Sequence, residues 1–107
     1  MNLPAVVAAL VQAQNNLDAS AYVDCFDETA LVHDEGENHK GKAEIRGWIK
    51  QANAKYQTRM EPLHFTQTGD AAILEAKISG TFEGSPAVLK YHLEISGGLI
   101  QSLKVTG

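Results

Sequence analysis

The sequence predicts an α+β domain in which helices collect on one face of a curved antiparallel sheet. Three observations carry that reading. Apolar residues recur with a period near 3.6 as far as Tyr56 and with a period of 2 beyond it. Gly69-Asp70, Gly84-Ser85-Pro86 and Gly97-Gly98 cut the second half into hairpin-length strands. The chain has 107 residues, 44% of them hydrophobic and 21% charged, enough for one core and too few for two. Residues 1–107 are therefore read as a single domain.

Pro4 suits the first turn of a helix, and Val7, Leu10, Val11, Gln14 and Leu17 follow at helical spacing until Asn15 and Asn16 weaken the pattern. The first helix is expected over about residues 4–16. Asp18 is a good N-cap for a short second helix carrying Tyr22, Cys25 and Phe26 on one face, and Asp27-Glu28-Thr29 is expected to stop it. Residues 30–34 read as a short strand and Gly36 as a turn. Gly41 opens a third, longer helix whose Ile45, Trp48, Ile49, Ala52 and Tyr56 form a narrow apolar stripe.

Four strands follow. Residues 57–68 alternate imperfectly, so their facing stays open. Leu74, Ala76, Ile78, Gly80 and Phe82 alternate with Glu75, Lys77, Ser79 and Thr81, which gives one apolar and one wet face. Leu89, Tyr91, Leu93 and Ile95 repeat the pattern against Lys90, His92 and Glu94. The last strand sets Leu99, Gln101, Leu103 and Val105 against Ile100, Ser102, Lys104 and Thr106.

Charge and cysteine content narrow the function classes. The formal net charge is −4, with seven acids and no Lys or Arg in residues 1–39. Lys40, Lys42, Arg46 and Lys50 lie among acids, so no basic stripe for nucleic acid forms. The apolar run over residues 3–11 is too short to span a bilayer and lacks a basic flank, so no membrane partner is expected. A single cysteine, Cys25, excludes an internal disulfide and favours a reducing, cytoplasmic setting. His33, Glu35, Glu37 and His39 surround Gly36, but no metal-binding spacing is present and no metal is expected. Phosphate-loop and dinucleotide glycine patterns are missing too, so no cofactor is expected.

Residues 26–48, FDETALVHDEGENHKGKAEIRGW, resemble the SnoaL-like and ketosteroid-isomerase-like branch of the nuclear transport factor 2 superfamily. Phe26, Asp27, Glu28, Ala30, Val32, Asp34, Gly41, Ile45, Arg46 and Trp48 carry the match, and the element order extends it over the chain. The resemblance implies a cone-shaped fold, in which the curved antiparallel sheet wraps the long helix behind two N-terminal helices. It also implies an apolar pocket at the wide end for an apolar small-molecule ligand, and a homodimer formed through the outer sheet face. Activity does not follow from the fold, because the superfamily includes isomerases, cyclases, dehydratases and pure binding modules.

Asp34 and Tyr91 are the catalytic candidates. In the isomerase branch the aspartate ending this strand is the base that moves a proton on a ketone, and Asp34 matches its place. A carboxylate in a poorly hydrated cavity is a stronger base, although Asp beside a glycine turn often only braces the turn. Tyr91 falls where that branch places a hydrogen-bond donor to the developing oxyanion. The first-helix position of the isomerase's essential Tyr is Leu10 here, so steroid isomerisation is not implied. Trp48 is expected as pocket wall and core together, Tyr22 and Phe26 as facing the same cavity or the core beneath it, and Leu74, Ile78, Leu93 and Leu103 as an apolar floor. His64 could face either way, and facing the cavity it would form a dyad with Asp34. His33 is expected to point outward, Arg46 to pair with acids near the helix start, and Cys25 to be an inert packed thiol.

Overall fold

The computed structural model describes residues 2–107. Its elements are α1 (Ala5–Asn15), α2 (Ala19–Val23), β1 (Phe26–Asp34), β2 (Glu37–Lys40), α3 (Gly41–Tyr56), β3 (Arg59–Thr68), β4 (Ala71–Ser79), β5 (Ala87–Ser96) and β6 (Leu99–Thr106). The six strands form one open sheet in the order β2-β1-β6-β5-β4-β3. The expected α+β layout of helices on a curved sheet is present. One pairing departs from it, because β1 and β6 run parallel while every other neighbour is antiparallel. A parallel pair needs a long crossover, and the chain from α3 to β5 supplies it.

Helix α1 buries Val7, Leu10, Ala13 and Gln14. It ends where Leu17 turns left-handed (φ 52°), with Leu17 N–H donating to Gln14 and Asp18 N–H to Ala13, the pattern of a Schellman stop. The asparagines that weaken the sequence pattern have a structural task. Asn15 Nδ2 donates to the Met60 carbonyl at 3.0 Å, and Asn15 Oδ1 accepts from Met60 N–H at 2.7 Å, which fastens α1 to the start of β3. Asp18 then caps α2 by accepting from Ala21 N–H.

Helix α2 is shorter than the sequence suggests. It stops at Val23, and Phe26 already belongs to β1, as do Asp27, Glu28 and Thr29. Phe26 still packs on Tyr22, with ring centroids 5.6 Å apart, so a contact across the helix–strand junction imitates helical spacing. Register between β1 and β6 shifts between Phe26 and Leu31, and within that bulge Asp27 Oδ2 accepts from both Thr29 N–H and Thr29 Oγ1. Strand β2 (Glu-Asn-His-Lys) is read from sequence as part of an acidic turn. It has no apolar alternation to announce it, as befits a polar edge strand paired on one side only.

The sheet's concave face and the helices enclose the core. Leu74, Ala76 and Ile78 of β4 are buried together with Tyr91, Leu93 and Ile95 of β5. In β6 a register shift against β5, between Glu94 and Ile95, turns both Ile100 and Leu103 inward, which strict alternation does not foresee. Strand β4 ends at Ser79, so Gly80 and Phe82 lie in the β4–β5 connection and not in the strand. That connection closes the C-terminus of α3. Thr81 N–H donates to the Tyr56 carbonyl at 2.7 Å, and Thr81 Oγ1 donates to Lys55 and Tyr56 carbonyls at 3.0 and 3.1 Å. These are carbonyls that a helix end leaves without intrahelical partners.

Gly80 makes this closure possible, since a Cβ there would lie 2.5 Å from the Tyr56 carbonyl oxygen. Gly80→Ala is expected to destabilise the protein by about 1–3 kcal/mol. Gly47, inside α3 with open space where its Cβ would be, supplies the opposite case: Gly47→Ala should stabilise by about 0.5–1 kcal/mol. Urea denaturation of the two variants beside the parent checks both signs.

Candidate functional site

Asp34 is the last residue of β1, on the face that buries Ala30 and Val32. A two-residue turn, Glu35-Gly36, reverses the chain into β2. Both turn residues have positive φ (52° and 76°), as a tight hairpin matching strand twist requires, and Gly36 adopts this without strain. The turn sets Asp34 opposite Glu37 and Val32 opposite His39. His39 thereby comes to lie against α3, its ring stacked on the Trp48 indole at 5.7 Å and 27°. On its other side Trp48 meets Tyr22, with centroids 6.1 Å apart. His33, on the opposite face, pairs with Asn38 at 2.6 Å.

These groups border a cavity of about 630 Å³ between α3, the β1–β2 hairpin and the β4–β5 connection. Of the residues singled out from sequence, Asp34, Tyr91, Tyr22, Trp48 and Ile78 line it. Phe26 stands behind Tyr22, fully buried, and Leu74, Leu93 and Leu103 are sealed core side chains beyond the lining. The predicted floor is therefore the layer behind the wall. His64 is exposed on β3 and outside the cavity, so a His64–Asp34 dyad does not form. A register shift between Pro62 and His64 sets its facing. Arg46, expected to pair with acids, instead donates to the Ser20 hydroxyl. The lining is also more polar than an apolar pocket: Gln14, Glu35, Glu37, Lys55 and Glu83 contribute to it.

Three lining aromatics escape the sequence reading. His39 needed β2 to be recognised as a strand paired with Val32. In the sequence Tyr56 reads only as helix stripe, and Phe82 only as strand alternation. In the structure Tyr56 and Phe82 meet edge to face, 6.1 Å apart, at the cavity's outer end. Gln14, buried at the end of α1, donates through Nε2 to Asn53 Oδ1 at 3.1 Å and to Thr58 Oγ1 at 2.8 Å, bracing the inner wall.

Burial raises the pKa of the Asp34 carboxyl, and the neighbouring Glu35 charge pushes it further up. Hydrogen bonding from the Trp48 side chain and the Glu35 backbone, with the nearby His39, acts in the opposite direction without cancelling the rise. Burial likewise raises the phenols of Tyr22 and Tyr91, reinforced at Tyr22 first by Tyr91 and at Tyr91 by Asp34. Both phenols therefore stay protonated and present neutral hydroxyls. Cys25 is buried, its thiol also raised by burial, with Sγ 3.5 Å from the Ala21 carbonyl. It is a packed thiol without thiolate character.

The carboxyl at Asp34 has a cost for folding whose pH dependence has a definite sign. Its folded pKa lies above the usual 3.8, so the native state binds the proton more tightly than the unfolded chain. The penalty is absent below the unfolded value, grows as pH rises through the two pKa values, and is complete above the folded one. Asp34→Asn is therefore expected to melt at a higher temperature than the parent at about pH 7, with the gain shrinking toward about pH 3. Thermal unfolding across that range checks it.

Comparison with known proteins places this architecture. A SnoaL-like domain model matches residues 7–102. Among solved structures, a candidate polyketide cyclase from Sinorhizobium meliloti superposes with a TM-score of 0.93 and 36% identity, over 97% of this chain and 95% of that one. A protein of ketosteroid isomerase-like fold from Catenulispora acidiphila, solved in complex with trimethylamine, gives 0.88 and 21% identity, over 99% of this chain and 87% of that one. SalBIII, an epoxide hydrolase/cyclase-like enzyme of pyran ring formation in the polyether salinomycin, gives 0.78 and 22%, over 94% and 85%. The latter two likenesses concern the fold alone. No functionally curated protein matches the chain. With nearly its whole length matched by the domain model and a relative of more than one-third identity over almost the full chain, the protein belongs to the SnoaL-like family.

Proposed function

We propose that the protein performs cofactor-independent acid/base chemistry on a carbonyl-bearing small molecule held in the cavity, as an isomerase, cyclase or dehydratase, with Asp34 as the base. The supporting observation is the grouping of one partly desolvated carboxyl, Asp34, with two protonated phenols, Tyr22 and Tyr91, around a single cavity. The candidate cyclase from Sinorhizobium meliloti supports the same chemistry by kinship.

In this reading the ionised Asp34 takes a proton from the carbon next to the ligand's carbonyl. The C–H bonding pair becomes the enolate π bond, and the carbonyl π pair moves onto oxygen. Tyr91 donates a hydrogen bond to that oxygen as it gains charge. Its raised pKa suits a donor that shares its proton without surrendering it. Asp34 then returns the proton at another carbon, or the enolate carbon adds to a second carbonyl carbon of the same ligand, whose π pair moves onto its oxygen and takes the proton from Asp34, closing a ring as a hydroxyl forms. Desolvation helps the base, since it raises proton affinity where the proton must be taken. The protein also self-associates, in this proposal, through the outer sheet face, where Ile73 of β4 and Val88 of β5 are exposed.

The test is turnover of enolisable ketones and of poly-β-ketone analogues. Asp34→Asn is expected to lower kcat/KM by about 100-fold or more while ligand still binds, and Tyr91→Phe by about 10- to 100-fold. The acid limb of the parent's pH–rate profile should lie above the ordinary aspartate value and be lost in Asp34→Asn. Turnover in Asp34→Asn equal to the parent's would remove Asp34 as the base. For the association, Ile73→Asp should shift the protein to half the parent's mass in sedimentation velocity.

A further inference from the structure

We infer that the cavity takes an organic ammonium ion: a ligand with an apolar body and a positively charged amine head seated against Asp34. This goes beyond the proposed function by naming a second ligand class for the same cavity, one whose ammonium head occupies Asp34 and so excludes a carbonyl ligand from it while bound.

Charge is the first consideration. Asp34, Glu35, Glu37 and Glu83 line the cavity against a single ammonium, that of Lys55. A cleft walled in low-dielectric material and carrying one sign of charge focuses its field and concentrates counter-ions at its mouth. An anionic ligand would meet several carboxylates and one cation there. A neutral ligand would gain nothing from three exposed carboxylates around the opening.

The rings are the second, and they are independent of the first. Tyr22, Trp48 and Tyr91 line the same cavity as Asp34, and Tyr56 with Phe82 forms a second aromatic pair on its lining. Aromatic faces attract cations through the ring quadrupole, most strongly where water is excluded. Lys55 has its Nζ 5.1 Å from the ring centroid of its neighbour Tyr56, a contact of the same kind. Tyr22 and Tyr91 are 2% and 9% exposed. Their hydroxyls, engaged by no other protein group among the described residues, are left to accept from an N–H of the ammonium or to meet its polarised methyl groups. A carboxylate among aromatic walls meets both needs of such a head: a counter-ion, and contact surface that costs little to desolvate.

Trp48 is the protein's one tryptophan and lines the cavity, so its fluorescence reports occupancy directly. The probes are benzyltrimethylammonium and benzyl tert-butyl ether, an uncharged molecule of similar shape. At low salt the cation is expected to bind about tenfold or more tighter than the ether. Asp34→Asn should weaken the cation by about fivefold or more and leave the ether within about twofold. The double variant Glu37→Gln/Glu83→Gln, altered only at the exposed rim, should weaken the cation by about two- to threefold and flatten its salt dependence. Circular dichroism melts show that each variant is folded. Equal or tighter binding of the ether overturns the inference, as does a preference for the cation that survives intact in both variants. These outcomes separate from the proposed chemistry. Ketone turnover that depends on Asp34, without cation preference, removes the amine class alone, and cation preference without turnover removes the base alone.

Discussion

The cavity depends on α3 being held at both ends. At its start, Glu44 accepts from Lys40 N–H at 2.8 Å, and Gly41 passes close to the Glu28 carbonyl of β1. At its end, the β4–β5 connection folds back and Thr81 satisfies the last carbonyls. In that same last turn, Gln14 of α1 donates to Asn53. A helix fixed in this way cannot slide down into the concave sheet to fill it. Ile45 and Ile49 pack on the core while Trp48, one helical step round, stands at the cavity wall.

Fixing the helix also fixes the cavity's lining. Asp34 is delivered by β1, Tyr22 by α2, Tyr91 by β5 and Trp48 by α3, so four elements from across the chain supply one small volume. The same partial burial that raises the proton affinity of Asp34 opposes folding at neutral pH, which ties proton affinity and stability to one side chain. The fully buried layer behind it, Phe26 with Leu74, Leu93 and Leu103, offsets that cost and keeps the wall from yielding. The lining thus mixes polar, aromatic and aliphatic side chains, Ile78 and Leu89 among the last, while the layer behind it is wholly apolar.

The polar character of the opening follows from topology. Strand β2 is an edge strand, and the β4–β5 connection is a loop, so both remain in contact with water and carry charged residues such as Glu37 and Glu83. Aromatic side chains reach inward from the same segments, His39 from β2 and Phe82 from the loop. A carboxylate-rich rim over aromatic walls is the outcome, and it distinguishes this cavity from a simple greasy pocket.

Periodicity, glycine punctuation and length determined the α+β class, the three helices, the last four strands and Asp34 at the end of its strand, because each is written within a window of a few residues. The motif around Asp34 likewise disclosed the family. Tertiary structure alone decided the rest. Phe26 left the helix for a strand because its partner, Ile100, lies 74 residues away; β2 became a strand because β1 offered it an edge; Ile100 and Leu103 faced inward together because a bulge reset the register. His64 turned to solvent, and His39 came to stack on Trp48, for the same reason. Strand pairing and its bulges are long-range hydrogen-bonding choices, and a shift of one residue reverses the facing of every side chain that follows.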